Sequence, residues 1–528
     1  MYDAQLGPGC LLGTRLEVLS GINTWIKDPK APQIFWLTGH AGSGKSAIGH
    51  TVCMQACNDP DIILGGSFFC SRSAGSVAQR DVRCIVPTLA QLLARQSPAF
   101  SIALAAELAR DPDLMHKQIR VQFEILLQRP LLALKDSPIP ILFVVDALDE
   151  CGAHKSANGT LDDPESHLFV TAILEALVGF SRSALKLPVK FLVTSRPETH
   201  IRDTPVSDPT FSKILQLHTV DKDQVTGDIR LYISTRLLST TGLRGRFTTD
   251  HIELLVRLCG GSFIVATIAL HYILDAGRDH ASIKLQTLLN VTRDGLSNGA
   301  SAPLDRMYAL IISDATKADT LKAQMPRMLA SLLATRMTLS VSALAELLEV
   351  PDDHLRASLS HLHAVVHVPE NDIEPGLRTL HASFGDYLLE RADKRYRIDL
   401  SLGNAALFNG CLKVMSKQLH FNISQSRSSY AYNERCRPNN ITLALEYACL
   451  HWIYHDSRLP LSSSVNQRRG LRQQLMSMIH RASNSKPEDM IGAIFRSRFL
   501  FWLEVMSVLG QVRRASAMLN FALEKVRV

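Results

Sequence analysis

The chain has 528 residues, 46% of them hydrophobic, and a formal net charge of +7. That length asks for several domains, and that apolar content excludes a mainly disordered chain. So mild a charge, spread along the chain, excludes a dominant polybasic segment; the small cluster Arg468, Arg469 and Arg472 follows a Pro and Ser stretch and reads as a solvated loop rather than a nucleic-acid patch.

The opening MYDAQLGPGC has no charged n-region and no apolar h-region, so no signal peptide is expected. The most apolar stretch, residues 263–274, is too short to span a bilayer and carries Thr267 and His271. The ten cysteines are scattered. Cys53 and Cys57 lie four apart on a predicted helix, but no second pair has metal-like spacing, so buried free thiols in a reducing compartment are expected. These features predict a soluble cytoplasmic protein.

After a lead-in segment (1–29), residues 30–205 alternate strand-like and helix-like runs. Strands are predicted at 34–37, 67–70, 141–145 and 191–194, with helices such as 81–96 and 168–180 between them. That alternation predicts a parallel sheet covered by helices. Directly after the first strand comes GHAGSGKS: Gly39, His40, Ala41, Gly42, Ser43, Gly44, Lys45 and Ser46. The pattern G-x-x-x-x-G-K-[ST] is a phosphate loop, in which backbone N–H groups wrap round phosphates, the lysine reaches the outer ones and the hydroxyl ligates Mg2+. Ile48, Val52 and Ala56 then recur on one helix face until Asn58, Asp59 and Pro60 stop it.

The run ILFVVDALDEC (141–151) supplies the acids. Ligands in open α/β sheets bind at the carboxyl ends of strands, so Asp146 is expected to face the metal held by Ser46. Asp149 or Glu150 is expected to orient or deprotonate an attacking water. The strand of FLVTSRPE (191–198) ends in Arg196, which either feels a terminal phosphate or pairs with Glu198 at the rim. A polar stretch at 152–167 reads as a surface loop.

Residues 206–320 read as helical. Over 321–395 the order is helix (327–333), helix (341–348), helix (355–362), strand (364–368), a turn with Glu370, Asn371 and Asp372, strand (377–380) and helix (384–389), which suggests a winged helix. Residues 396–528 are again helical, with a polar break at 425–440. The expected fold is therefore an α/β P-loop NTPase core, a parallel sheet covered by helices, followed by helical and winged-helix domains, mostly α overall. No repeat of 20–50 residues occurs.

With CLLGTR (10–15), GHAGSGKS, SFFCSR (67–72), RDVRCIVPTLAQLLA (80–94), VVDALDEC, FLVTSRPE and LHASFGDYLL (380–389) in this order, the chain resembles the fungal branch of the NACHT family of signal-transduction ATPases with numerous domains, of the nephrocystin-3-like N-terminal NTPase type. The resemblance implies that Lys45 binds phosphate, that Ser46 and Asp146 bind the metal, and that Arg196 is the sensing position. It also implies that Thr14 and Arg15 approach the nucleotide base and that the winged-helix His381 contacts the diphosphate of a resting state. Two departures stand out. GGSF (260–263) replaces the Gly-Leu-Pro of many relatives, and neither an effector module before Cys10 nor a WD-repeat or ankyrin array after the helical end is visible.

The expectation is a nucleotide-dependent switch that binds ATP or GTP with Mg2+, hydrolyses it slowly, and self-associates in its ATP state. By resemblance it acts in fungal non-self recognition or programmed cell death, with separate effector or sensor proteins as partners and no membrane. The alternatives are a nucleic-acid-remodelling ATPase that uses its winged helix, and a nucleotide-binding scaffold that does not hydrolyse. Nucleic acid is not the expected partner, because residues 356–368 carry one arginine and no lysine.

Overall fold

The computed structural model describes residues 9–71, 79, 81–111, 114, 117–151, 164–182, 187–240, 247–274, 280–297, 303–317, 319–371, 376–425, 441–457, 494 and 496–526. The basic cluster at 468–472 lies outside them. So do most of the polar break at 425–440, the turn beyond Asn371, and the expected loop at 152–167 up to residue 163. From Pro164 that loop is already helix, Pro164–Arg182. The described residues form two compact units, one running to Leu310 and one from Ile311.

The first unit is built on a parallel five-stranded sheet: β1 (Ile34–Thr38), β2 (Ile63–Phe69), β3 (Ile141–Asp146), β4 (Val189–Ser195) and β5 (Ser212–Gln216), in the order β2-β3-β4-β1-β5. β1, β3 and β4 are buried along their whole length. This is why they read as continuous apolar runs: both faces of the sheet are covered. Alternate residues feed two separate cores. Ile34, Trp36, Phe143, Val145, Phe191 and Val193 face one. Phe35, Leu37, Leu142, Val144 and Leu192 face the other, which is closed by α1 (Leu16–Lys27) and α2 (Lys45–Asn58). Phe143 and Phe191 stack with centroids 5.3 Å apart, and each buried ring contributes roughly 1.5–3 kcal/mol of burial energy.

All four expected strands are present, each longer than expected. β5 corrects the reading of 206–320 as helical throughout. It pairs parallel with β1, Ile34 opposite Ser212 through Thr38 opposite Gln216. At the sheet edge Ser212 is buried, Ile214 and Leu215 are half-buried, and Lys213 and Gln216 are exposed, so the strand carries neither a continuous apolar run nor a clean alternation. Helices Lys222–Ser239, Thr249–Cys259, Phe263–Leu274 and Ala281–Ser297 follow. No described helix is long and apolar enough to cross a membrane. Cys53 is buried on α2, but Cys57, expected to be buried with it, is exposed: it falls in the last turn, beyond the buried stripe of Ile48, Val52 and Ala56.

In the second unit, helices Asp319–Ala334, Val341–Leu348 and Asp352–Ser360 precede an antiparallel pair, β6 (Val366–His367) and β7 (Arg378–Thr379), and the short helix Ala382–Asp386. That is the expected element order, with strands shorter than expected. The helix Leu400–Gln418 then packs against Asp319–Ala334, Val341–Leu348 and Leu443–Ser457.

Candidate functional site

The site lies at the carboxyl ends of β1, β4 and β3, where the sheet places three loops side by side. β4 sits between the other two, so Arg196 emerges between the glycine loop and the acids. The backbone ties the three together: Gly39 N donates to Ser195 O at 3.3 Å, and Ala147 N donates to Thr194 Oγ1 at 2.9 Å.

The loop from Gly39 to Ser46 needs its glycines for separate reasons. Gly42 and Gly44 have φ of 74° and 92°, a region that side-chain-bearing residues rarely adopt. Gly42 has no room either, since a Cβ there would lie 2.0 Å from Ile264 Cγ2. Ile264 N donates to Gly42 O, so the start of the helix Phe263–Leu274 closes over the loop. Lys45 is buried and donates from Nζ to Gly39 O at 2.7 Å and His40 O at 3.0 Å. Burial pushes its pKa down, opposed first by the Asp149 charge. His40 is exposed and its ring lies 5.7 Å from that of His218. Ala41 is half-buried.

Asp146 ends β3 as a buried carboxylate. Thr194 Oγ1 donates to its Oδ1 at 2.6 Å, and it also bonds the Ser46 hydroxyl. Burial raises its pKa, while the Ser46 and Thr194 bonds oppose the rise. Ala147 then adopts the left-handed conformation (φ 51°, ψ 47°), an unusual one for a non-glycine residue. It turns the chain into the short 3-10 turn Leu148–Glu150. There Asp149 accepts from Arg196 N at 2.9 Å and meets Arg196 Nε at 3.2 Å, while Glu150 lies 4.0 Å from Arg196 Nη2. Asp149 and Glu150 are thus acids beside Arg196.

Thr14 and Arg15 come to the same place from the start of α1. Thr14 is buried and bonds back to Leu11 O. Arg15 is also left-handed (φ 58°). Its N donates to Asp228 Oδ2 at 2.9 Å, its Nη2 to Ser43 O at 2.8 Å, and its guanidinium lies 4.8 Å over the Phe263 ring. His381 belongs to the second unit. There it caps the helix Ala382–Asp386, its Nδ1 accepting from Ser383 N at 3.1 Å. That bond makes Nδ1 the acceptor and places the ring proton on Nε2.

The residues present fit a nucleotide and a divalent cation. Ser43 Oγ is shielded from solvent with no hydrogen-bond partner among the described residues, and it would lie 2.7 Å from a Cβ at Gly39. A hydroxyl and a carboxylate, Ser46 and Asp146, form a hard oxygen donor set suited to Mg2+. Four contributors carry no local sequence signal for the site: Thr194, Asp228, Phe263 and Ile264. Thr194 was visible only as a strand-end residue, and Asp228 is 213 residues from the Arg15 it holds.

Residues 13–196 match the family described as Nephrocystin 3, N-terminal. No curated protein matches the chain. Among solved structures, the chain is similar to a Signal Transduction ATPase with Numerous Domains (STAND) protein with a tetratricopeptide repeat sensor from Pyrococcus horikoshii, at 11% identity and a TM-score of 0.41 over 99% of this chain and 59% of that one. It is similar to the Aeropyrum pernix ORC1 protein, solved in complex with DNA, at 13% identity and a TM-score of 0.32 over 77% of this chain and 94% of that one. It is also similar to Cdc6p from Pyrobaculum aerophilum, at 14% identity and a TM-score of 0.31 over 72% and 94%. The chain thus spans 59% of the length of the STAND protein.

Proposed function

We propose that the chain is a nucleotide-dependent switch that binds ATP or GTP with Mg2+ and hydrolyses it slowly. The observation that carries this reading is the convergence, on three adjacent strand ends, of the buried Lys45, the Ser46–Asp146 bond and the Asp149–Arg196 pair. Lys45 already has its ammonium in the mouth of the loop and exchanges carbonyl partners for phosphate oxygens when nucleotide enters. Ser46 and Asp146 would hold Mg2+, which would supply positive charge beside the outer phosphates. Thr194 keeps Asp146 turned toward Ser46. Asp149, Glu150 and Arg196 lie where a terminal phosphate and an attacking water would be handled. We assign Arg15, which reaches Ser43 O and the Phe263 ring, and its neighbour Thr14 to the nucleotide base.

The domains we propose are a lead-in (1–29), a P-loop core (30–205), a helical domain (206–320), a winged-helix-like domain (321–395) and a C-terminal helical domain (396–528). In this reading His381, with its proton on Nε2, donates to a diphosphate oxygen in a closed resting form, and the ATP state self-associates. A cytoplasmic signalling role with separate sensor or effector partners follows the resemblance stated above. Binding to nucleic acid is disfavoured by the segment 356–368, which has no lysine and whose one arginine, Arg356, has its guanidinium engaged by Pro369 O within the fold.

The direct test is to purify the chain, denature it and identify the nucleotide released. Calorimetry then compares ATP, GTP and their diphosphates with and without Mg2+. A chain that carries none and binds none overturns the proposal.

A further inference from the structure

β1 and β5 run parallel in register up to Thr38 opposite Gln216. Their chains stay together past the last ladder pair, where a Cβ on Gly39 would lie 3.1 Å from Leu217 Cβ. The next pair is His40 and His218. Both are exposed, with ring centres 5.7 Å apart and planes tilted by 40°. Each stands on an anchored backbone. His40 O accepts from Lys45 Nζ at 3.0 Å and from Ser43 N at 3.3 Å. His218 follows the buried Leu217 in the short 3-10 turn Leu217–Thr219.

That spacing suits a shared ion. With zinc–nitrogen bonds of about 2.0–2.1 Å, two imidazoles on one ion have ring centres about 5–6 Å apart. Another pair, His167 and His200, makes the contrast: stacked at 3.9 Å with planes 6° apart, those rings are too close to hold an ion between them. Imidazole nitrogens suit Zn2+, Ni2+ and Cu2+, whereas Mg2+ takes oxygen donors. Among the described residues no third histidine, cysteine or carboxylate completes a cluster, so water fills the remaining positions on the ion. With both backbones anchored, the second imidazole binds at the cost of little further ordering.

We propose that His40 and His218 form a two-imidazole site for a borderline-soft divalent cation, which clasps the start of the phosphate loop to the turn after β5. The site is separate from the hard-oxygen pair Ser46 and Asp146, and it does not depend on the nucleotide reading. It gives the phosphate loop a second chemical input, a transition-metal ion, on the side of β1 that faces the edge strand.

The test uses the full chain, stripped of nucleotide, with Zn2+ as the probe. Histidines are carbethoxylated with diethyl pyrocarbonate and the products mapped by peptide mass spectrometry. Zn2+ should slow the modification of His40 and His218 together, on one concentration curve, while the exposed His354 and His361 react as before. Mg2+ at the same concentrations should protect neither. In His218→Ala, protection of His40 should need on the order of a hundredfold more Zn2+, because the chelating partner is gone. His40→Ala should do the same to His218. Circular dichroism checks that the variants fold, and either variant alone decides.

Zn2+ that protects neither histidine, or only one of them, overturns the site. So does protection that survives unchanged when the partner is alanine, or that Mg2+ gives equally well. A chain that binds no nucleotide yet shows paired protection overturns the nucleotide reading and supports the site, so the two failures are distinct.

Discussion

At the scale of the residue, Lys45 shows how a site can be prepared before its ligand arrives. Its ammonium is buried and held by the carbonyls of Gly39 and His40, so it needs no rearrangement of the backbone to meet a phosphate. Lys45→Ala should reduce nucleotide affinity by at least about 2 kcal/mol, the worth of a hydrogen bond to a charged group, with the melting temperature without nucleotide little changed. Calorimetry with ADP checks it, and unchanged affinity would remove lysine from the site. Thr194 offers a sharper test. Its hydroxyl donates to Asp146 and accepts from Ala147 N, so Thr194→Val strands two buried polar groups at once. A loss of roughly 1–3 kcal/mol in stability is expected for each group left unsatisfied, together with weaker Mn2+ binding in the presence of nucleotide. Thr194→Ser should restore both; a serine variant as impaired as the valine variant would show that the methyl, not the hydroxyl, matters. The loop residues and Asp146 were legible because a phosphate loop and an acid at a strand end are local patterns. Thr194, Asp228 and Phe263 were not, because each acts across the fold on a residue that local sequence does not link to it.

At the scale of the element, the helix Leu400–Gln418 owes its place to two residues without side chains. A Cβ at Gly403 would lie 2.2 Å from Ala330 O, and one at Gly410 1.9 Å from Leu347 O. Both neighbours are backbone and cannot swing aside. Gly410→Ala should therefore destabilise the second unit by about 1–3 kcal/mol or more through overpacking, although alanine is the better helix former. Thermal unfolding followed by circular dichroism reads the sign: a variant more stable than wild type would mean that propensity outweighs the close approach. Among the elements, the long apolar strands and the amphipathic helices were readable from periodicity. β5 was not, since its place at a sheet edge erases the pattern, while β6 and β7 were read in place but as longer strands than they are.

At the scale of the whole molecule, two buried histidines make stability depend on pH. His455 is held between Tyr447 Oη, 2.7 Å from its Nε2, and Asn404 Oδ1, 2.8 Å from its Nδ1. Since Asn404 presents an acceptor, Nδ1 carries the proton and the tyrosine hydroxyl donates to Nε2. Burial lowers the His455 pKa to about 3 and that of His50, stacked on Phe69 at 4.0 Å, to about 4. The unfolded chain takes up these protons near 6.5 and the folded chain only well below that. Both residues thus leave stability intact above about pH 6.5 and erode it as pH falls toward 3, at up to about 1.4 kcal/mol per unit of pH for each proton. Urea unfolding between pH 7 and pH 4.5 should show the slope, and His455→Gln should flatten part of it; an equal slope in that variant would place the dependence elsewhere.

The strand order has a consequence for how the chain comes to be folded at all. β1 is the first strand to leave the ribosome, yet its neighbours in the sheet are β4 and β5, with Ile34 opposite Phe191 on one side and Ser212 on the other. Until those late strands exist, β1, with its apolar sequence IFWLT, has two bare edges and no neighbouring strand. Contacts of such separation are slow to form, and open strand edges invite association with other chains. The nascent first unit is therefore expected to expose both edges of β1 until about residue 216 has been made, and the glycine loop, which follows β1, to gain its neighbouring strands only with the last strand of the sheet.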